Sequence, residues 1–176
     1  MYSDPIKWAV QFQSHVFSTL LHRQLTPQCS PIRLVERSIH SSRLCFVEAM
    51  LQNKVISKSD SEMFDSFYNW TQDLKCNSVD LMIYLRSTPT TCLSRIHERN
   101  RSGEQGIALS YLEQLHSLHE NWLVDKAFGE LPAPLMVIST DPSLEQLRTI
   151  YNQKVVEILS NFKLDSYDYN SNRIIV

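Results

Sequence analysis

Apolar side chains recur every three or four positions in several stretches of the chain, the spacing that places them on one face of a helix. In the first stretch Trp8, Phe12, Val16 and Leu20 recur in this way, with His15 and Thr19 at the same helical spacing. Asp4-Pro5 precedes them and suits a helix cap and first turn, so an amphipathic helix of about five turns is predicted, ending near Thr26-Pro27. Two further helices are predicted over residues 41–52 and 59–74. The apolar stripe of the latter is Met63, Phe64, Phe67, Trp70 and Leu74.

Three short apolar runs lack helical spacing and are typical of strands buried on both faces of a sheet. They cover residues 32–35, 81–85 and 135–138. Helices are predicted over residues 90–100 and 109–125 after the second run, and over 143–161 after the third. This alternation indicates right-handed βαβ units and a parallel sheet flanked by helices, an α/β fold.

The last eleven residues, 166–176, form a tail separate from the domain predicted over residues 1–165. The tail is polar and then ends in Ile174-Ile175-Val176. This composition is compatible with an edge strand of the sheet or with a loose segment.

Composition is that of a globular protein of about one domain. The chain has 176 residues, of which 43% are hydrophobic and 20% charged, and a net charge of −2. This balance argues against a nucleic-acid or anionic-membrane binder, so any basic site must be local. No apolar stretch reaches the roughly 18 residues of a membrane-spanning helix. The first twenty residues do not resemble a signal peptide.

Four cysteines are spread along the chain without a C-x-x-C pair. They are Cys29, Cys45, Cys76 and Cys92, and each lies in or beside an apolar run. Free buried thiols in a reducing compartment are therefore favoured over disulfides or a zinc site.

Charged residues directly follow the first predicted strand, as Glu36-Arg37-Ser38. The carboxyl ends of parallel strands open into a crevice, and burying an unpaired charge is costly, so these charges must be paired, solvated or bound to a ligand. A carboxylate holds Mg²⁺ through water, and a guanidinium grips a phosphate or a reacting oxygen. The alternative is a Glu36–Arg37 ion pair at the strand end, with Ser38 beginning the next helix.

The second predicted helix brings an aromatic ring to this region. Arg43, Phe46, Val47 and Met50 share one of its sides. Phe46 is a candidate to stack on a base from the crevice. The alternative is that it belongs to the core, which its spacing alone favours.

A cluster of cationic side chains lies toward the end of the helix predicted over residues 90–100. Its members are Arg95, His97, Arg99 and Arg101. Gly103 and Gly106 free the following loop to move, so the segment is suited to fold over a polyphosphate and neutralise charge during phosphoryl transfer. The alternative is a solvated helix end whose cations complement the helix dipole.

His116 and His119, with Glu120, raise the question of a metal site. No third ligand is placed with them by the sequence, so an ordinary helix surface is favoured. A hydrolase is not indicated either, because no G-x-S-x-G motif occurs.

Four segments of the chain resemble the deoxynucleoside kinases, most of all the branch of thymidine kinase 2 and the insect deoxynucleoside kinases. They are residues 36–48 (ERSIHSSRLCFVE), 80–89 (DLMIYLRSTP), 99–104 (RNRSGE) and 111–123 (YLEQLHSLHENWL). The likeness runs from Tyr2 to about Asp141. It implies a P-loop kinase fold of three layers and transfer of the γ-phosphoryl group of ATP, with Mg²⁺, to the 5′-hydroxyl of a deoxynucleoside.

The resemblance also implies roles for individual residues. Glu36 is expected to face the metal indirectly and Arg37 to stabilise the 5′-oxygen, while Arg95, His97, Arg99 and Arg101 form a lid over the donor phosphates. The residues expected to bind the nucleoside are Tyr2, Gln13, Val16, Leu20, Ser42, Phe46 and Glu104. Within this set, Gln13 is expected to hydrogen-bond the base, and Tyr2 and Glu104 the sugar 3′-hydroxyl. The uncharged Leu20 and Ser42 beside Val16 favour pyrimidines, including thymidine, over broad acceptance of deoxynucleosides.

The chain departs from the family pattern at its phosphate loop. With only three glycines, Gly103, Gly106 and Gly129, the motif G-x-x-x-x-G-K-[ST] cannot be placed anywhere. The phosphate loop, the first strands of the sheet and a general-base carboxylate are expected upstream of Tyr2, and these 176 residues alone are expected to be inactive. Two interpretations remain open: part of a mitochondrial or cytoplasmic kinase that forms a homodimer, or a non-catalytic remnant. The remnant would bind nucleoside or pair with a full-length kinase through its first two helices.

Overall fold

The fold is given by a computed structural model that describes residues 4–27, 32–74, 79–160 and 173–175. The helices are α1 (Pro5–Leu25), α2 (Ile39–Ser41), α3 (Glu48–Gln52), α4 (Lys58–Gln72), α5 (Pro89–Arg99), α6 (Leu109–Leu123) and α7 (Leu144–Ser160). The strands are β1 (Arg33–Val35), β2 (Leu81–Arg86), β3 (Leu135–Ser139) and β4 (Arg173–Ile175). A π-helical segment, Ser42–Val47, joins α2 to α3. The alternation of strands and helices predicted from the apolar pattern is confirmed.

The strands form one parallel sheet in the order β1-β4-β2-β3. Residues of β2 alternate between two apolar clusters, with Ile83 in one and Met82 in the other. The Ile83 cluster includes Ile150 of α7, and the Met82 cluster includes Trp122 of α6. Helices therefore cover both faces of the sheet, which confirms the α/β layered fold.

Strand β4 lies inside the sheet, between β1 and β2. It pairs with all three residues of β1, from Arg33↔Arg173 to Val35↔Ile175, but with only Leu81 and Met82 of β2. The expectation of an edge strand or a loose tail is therefore wrong, because this short run pairs with β1 on one side and with β2 on the other. Beyond Met82, the described residues of β2 pair with β3 alone.

The outer strand β1 is less covered than its apolar sequence predicts. Val35 is buried, whereas Leu34 is 67% exposed. The expectation of burial on both faces is wrong for this strand, since it lies at the edge of the described sheet and only one of its faces meets the core.

Helix α1 begins and ends as predicted, but it buries a different face. Asp4 caps it by accepting a hydrogen bond from the Lys7 backbone N–H at 3.1 Å. Phe17 is buried, whereas Trp8 and Phe12 are exposed. The full set of buried residues on α1 is Ala9, Gln13, Phe17, Leu20 and Gln24. Most of the predicted apolar stripe therefore faces outward, because the buried face includes two glutamines that a hydrophobicity pattern does not register.

Helix α4 also differs in part from its predicted stripe. Phe64 packs against Phe17 with ring centroids 5.3 Å apart, and Phe67 lies 5.4 Å from Phe17. Met63 and Trp70 are instead about half exposed. The stripe is thus wider than the surface that α1 covers.

Two cysteines fall among the described residues, and both are free thiols. Cys45 is fully buried, and burial raises the pKa of its thiol to about 12. Cys29 and Cys76 lie outside the described residues. None of the described helices combines the length and apolar character needed to cross a membrane.

His40 of α2 is buried against Tyr68 of α4 and Trp122 of α6. Its Nδ1 lies 2.9 Å from the Tyr68 hydroxyl, its ring stacks on Trp122 at 6.3 Å, and its Nε2 has no hydrogen-bond partner among the described residues. Burial lowers the pKa of His40 from 6.5 to about 4. Protonation is therefore far less favourable in the folded chain than in the unfolded one.

We expect this buried imidazole to make the chain less stable in mild acid. The unfolded chain binds the proton near pH 6.5 and the folded chain only near pH 4, so stability falls as the pH drops through that window, by up to about 3 kcal/mol. Urea unfolding between pH 7 and 4.5 measures the loss. His40→Phe should flatten the slope, whereas His15→Phe on the exposed face of α1 should leave it unchanged; equal slopes in all three proteins would contradict the assignment.

Candidate active site

The loop after β1 presents two exposed charges and one buried cap. Glu36 and Arg37 are exposed, and Ser38 is buried. The Ser38 hydroxyl accepts from the Ser41 N–H at 3.0 Å while the Ser41 hydroxyl accepts from the Ser38 N–H at 3.1 Å, a reciprocal helix cap. Ser38 therefore begins the helix, as one alternative required. The ion pair of that alternative does not form, since no described salt bridge involves Glu36 or Arg37.

Arg37 adopts a backbone conformation that is strained for a residue with a side chain. Its φ angle is 63°, in the left-handed region that glycine tolerates best. The guanidinium carbon lies 4.8 Å from the centroid of the Phe46 ring, a cation–π arrangement. The strained turn thus holds a charged group against an aromatic ring.

Phe46 lies on the π-helical segment, a local widening that is common at functional sites. The same segment includes Ser42, whose hydroxyl accepts a hydrogen bond from Gln13 Nε2 at 2.6 Å. Gln13 Nε2 also lies 3.3 Å from the Ser42 carbonyl oxygen. The polar side chain of α1 is therefore anchored to the helix turn that precedes Phe46.

A cavity of about 470 Å³ opens between the loop after β1, strand β2 and helix α6. Glu36, Arg37 and Phe46 all line it, so the structure brings these three predicted site residues together. The other lining residues are Ser38, Ser41, Met82, Ile83, Tyr84, Leu85, His119, Trp122, Leu123 and Leu135. The cavity runs along the part of β2 that β4 leaves unpaired.

His119 lines this cavity, and the expectation of an ordinary surface histidine is wrong. Its ring stacks on Tyr84, with centroids 6.1 Å apart and planes 10° apart, and meets Phe46 edge-on at 6.1 Å. Burial is the main cause that lowers the His119 pKa, and Arg37 adds to the effect. The three-residue spacing from His116 gave no sign of this position, which depends on how α6 packs on β2.

Glu120, next to His119, binds two side chains of β2. It accepts a hydrogen bond from the Tyr84 hydroxyl at 2.9 Å and pairs with Arg86 at 2.5 Å. Burial and the Glu120 carboxylate both raise the Tyr84 pKa well above its usual value, so the phenol stays protonated. These bonds fix α6 against the strand and hold the Tyr84 ring under His119.

Four residues expected around the base do not line the cavity. Gln13 and Ser42 are buried and bonded to each other, and Leu20 is buried in the apolar cluster between α1 and α4. Val16 packs against the same cluster. Tyr2, expected at the sugar, lies outside the described residues.

Glu104 lies among the predicted lid residues and is only 7% exposed. Its Oε2 pairs with Arg99 at 2.5 Å, and its Oε1 lies 3.6 Å from Arg101. Gly103 has a φ of 87° beside it, a conformation suited to glycine. Both carboxylate oxygens therefore face lid arginines.

The remaining lid residues differ from each other. Arg95 donates to the carbonyl oxygen of Thr140 at 2.5 Å, and Pro142 O lies 3.5 Å away, so this guanidinium is tied to the loop after β3. His97 is exposed on the last turn of α5. Asp141, in the same loop, accepts from the Thr88 N–H at 2.8 Å, which lowers the Asp141 pKa. The loops after β2 and β3 are thus joined at the carboxyl edge of the sheet.

The described residues contain no group of three or more acidic, histidine or cysteine side chains arranged to hold a metal ion. Glu36 is an exposed carboxylate beside the cavity. Its position fits contact with a metal through water rather than direct coordination by several protein ligands.

The chain belongs to the deoxynucleoside kinase family, because the family model described as deoxynucleoside kinase matches residues 1–162. Over 160 residues it is 38% identical to mitochondrial thymidine kinase 2 of Homo sapiens, covering 91% of this chain and 60% of that protein. It is 30% identical to deoxycytidine kinase of Mus musculus over 174 residues, covering 91% and 67% of the two chains. For deoxycytidine kinase 2 of Gallus gallus the identity is 28% over 167 residues, covering 86% and 63%. The chain therefore spans about 60% of the length of the thymidine kinase 2 relative.

Proposed function

We propose that this protein acts as a deoxynucleoside kinase, transferring the γ-phosphoryl group of ATP to the 5′-hydroxyl of a deoxynucleoside. The observation that supports this most strongly is that Glu36, Arg37 and Phe46 line one cavity beside the carboxyl end of β1. A carboxylate, a guanidinium and an aromatic ring are the groups that a metal, a reacting oxygen and a base require. Membership of the family supports the same function.

In this proposal each of the three residues has one task. Phe46 provides an apolar ring against which the base stacks, and Arg37, held 4.8 Å from that ring, donates hydrogen bonds to the 5′-oxygen. Glu36 holds Mg²⁺ through water. The metal, when bound, neutralises charge on the donor phosphates.

The lid has to rearrange for its arginines to reach a phosphate. Arg99 and Arg101 face Glu104, so these pairs would open when ATP binds. Opening would release the Glu104 carboxylate to accept a hydrogen bond from the sugar 3′-hydroxyl. Arg95 would act from its anchored position at Thr140, with His97 beside it at the exposed helix end.

Pyrimidine deoxynucleosides, thymidine or deoxycytidine, are the proposed substrates. The relatives are thymidine and deoxycytidine kinases by name. Val16, Leu20 and Ser42, the uncharged residues that the resemblance places at the base, lie outside the cavity lining, so they support this choice only through the resemblance. Gln13 Nε2 is occupied by Ser42, so base recognition by Gln13 would use its Oε1 or break that bond. A mitochondrial or cytoplasmic location is proposed, and the relative described as mitochondrial thymidine kinase 2 supports the former.

The proposal is tested by incubating the chain with ATP, Mg²⁺ and radiolabelled thymidine or deoxycytidine, alongside a protein extended by the codons upstream of Met1. Formation of the 5′-monophosphate by either protein supports kinase activity. If neither forms it, although thymidine stabilises the chain against heat, phosphoryl transfer is excluded.

That last outcome corresponds to a second function, a nucleoside-binding chain that does not catalyse transfer. The observation that favours it is the cavity beside Phe46, which needs no phosphate loop to hold a nucleoside. Within these 176 residues the motif G-x-x-x-x-G-K-[ST], which would cradle the donor phosphates, cannot be placed. Co-purification with an active kinase would support this second function.

We further propose that the chain forms a homodimer through α1 and α4. Trp8 and Phe12 on α1, and Met63 and Trp70 on α4, are all at least two-fifths exposed. The helix over residues 39–52 is less suited to this role than the sequence suggested, because most of its residues are buried in the core. Apolar patches of this kind are typical of protein interfaces.

Trp8→Glu combined with Phe12→Glu is expected to make the protein monomeric. Each charge would have to be buried unpaired in the interface, which costs several kcal/mol. Light scattering coupled to gel filtration measures the mass. Val155→Glu with Val156→Glu, on the exposed face of α7, is the matched control and should remain dimeric. A wild-type monomer at all concentrations would refute the interface.

A further inference from the structure

The side chain of His119 forms part of the cavity wall, but none of the roles proposed above uses it. Tyr84 lies against one face of its ring, and Phe46 meets it edge-on. Phe46 in turn lies next to the guanidinium of Arg37. The imidazole is therefore part of the same wall as the two residues proposed to bind the base and the 5′-oxygen.

The backbone of α6 fixes which ring nitrogen carries the proton. His119 Nδ1 lies 2.7 Å from the carbonyl oxygen of Leu115. A carbonyl oxygen only accepts hydrogen bonds, so Nδ1 must be the donor. In the neutral ring, Nε2 then carries a lone pair and is an acceptor.

This lone pair is not occupied by any described residue. Nε2 of His119 has no hydrogen-bond partner among the described residues, yet it is not among the sealed, unpaired polar atoms, which are Gln24 Oε1 and His40 Nε2. His119 lines the cavity, so the accessible nitrogen is offered to whatever the cavity holds. The neighbouring charged group, Arg37, is a donor only, and so complements rather than duplicates this acceptor.

We propose that His119 is a nucleoside-binding residue whose Nε2 accepts a hydrogen bond from a hydroxyl or ring N–H of the deoxynucleoside held beside Phe46. The inference rests on the proposed function and adds to it a residue that recognises a hydrogen-bond donor of the substrate. Three groups of thymidine qualify: the 3′-hydroxyl, the 5′-hydroxyl and the N3–H of the base.

Protonation at Nε2 would remove the acceptor, so binding should weaken in acid. The titratable groups near His119 come from several elements: Arg37 after β1, Tyr84 of β2, and His116 and Glu120 of α6. Glu36 lines the same cavity, and Arg86 pairs with Glu120. Burial, Arg37 and His116 lower the His119 pKa, whereas the Leu115 carbonyl and Glu120 raise it, and the net direction is down. The ring is therefore neutral at pH 7, with the acceptor available.

The test compares thymidine binding to the wild-type chain, His119→Phe and His119→Gln by isothermal calorimetry at pH 7.5. Phenylalanine keeps the packing between Phe46 and Tyr84 but removes the acceptor, and affinity should fall about tenfold. Glutamine places an oxygen near the position of Nε2 and should restore part of that loss. His116→Phe, one turn away and outside the cavity lining, is the matched control and should bind as the wild type does.

Analogues identify the donor. Thymidine, 3′-deoxythymidine, 5′-deoxythymidine and N3-methylthymidine are titrated into wild type and His119→Phe. Wild type and His119→Phe should bind the analogue that lacks the group bound by His119 with equal affinity. For the other nucleosides, His119→Phe should bind more weakly than the wild type. Wild-type affinity should also fall as the pH is lowered below 6.5, the ordinary pKa of histidine, because the His119 pKa lies below that value, and the His119→Phe affinity should not fall in this way.

Two failures are distinguishable. If the wild type binds none of these nucleosides, the proposed function fails and this inference with it. If the wild type binds thymidine and His119→Phe, folded by its circular dichroism and melting temperature, binds equally well, only the inference is overturned. If His119→Phe does not fold, His119→Gln is used in its place. A His119→Gln affinity that depends on pH as strongly as the wild-type affinity would also overturn the inference.

Discussion

Replacing Arg37 with alanine is expected to lower kcat for thymidine about 100- to 1,000-fold, the usual effect of removing one donor that stabilises charge in a transition state. The guanidinium lies over Phe46 at the cavity wall and has no described ion-pair partner, so it is available to a ligand. Steady-state rates are measured on whichever form of the protein phosphorylates thymidine. KM should change less than kcat, because the bond to the 5′-oxygen strengthens as charge develops.

Two variants separate this role from folding. Arg37→Gly relieves the left-handed backbone conformation and should stabilise the chain by about 1 kcal/mol while abolishing most activity. Arg148→Ala, on the exposed surface of α7, should leave both quantities unchanged. A kcat within threefold of the wild type for Arg37→Ala would remove this residue from the mechanism.

Replacing Phe17 with alanine is expected to lower the free energy of unfolding by about 3–5 kcal/mol, the cost of deleting a buried aromatic ring. Phe17 is 1% exposed and packs against Phe64 and Phe67. A domain of this size is stable by only about 5–15 kcal/mol, so the loss is a large share of the total. Urea unfolding followed by tryptophan fluorescence measures it.

Phe12→Ala is the matched control, since it is the same substitution on the same helix. Phe12 is 44% exposed, and its loss should change the free energy of unfolding by less than about 0.5 kcal/mol. Both variants are measured at a concentration at which the chain is monomeric. Equal losses at the two positions would mean that α1 buries the face that contains Phe12.

The strands and helices were predictable because their signals are local. The apolar runs before Glu36, Arg86 and Ser139 all became strands of one parallel sheet. Glu36, Arg37 and Phe46 could be related by sequence because two of them follow a strand and the third lies on the next helix. The resemblance to the deoxynucleoside kinases predicted the family that the chain matches.

The missed features depend on contacts between distant parts of the chain. The buried face of α1 includes Gln13, whose side chain hydrogen-bonds to Ser42 of the π-helical segment. Because Gln13 is polar, a search for apolar stripes does not identify this face as the buried one. The position of β4 follows from pairing with β1 and β2, and its three residues show no local preference for a central place. His119 lines the cavity only because α6 packs on Tyr84.

The place of β4 has a consequence for the order in which the molecule is made. Its partners Arg33 and Leu81 leave the ribosome long before Arg173 and Ile174 do. Until then the edges of β1 and β2 that β4 joins lack this partner, and unpaired strand edges favour aggregation and chaperone binding. Closing this part of the sheet therefore waits until residues 173–175 have been made, and pairing between segments so far apart in sequence is slow.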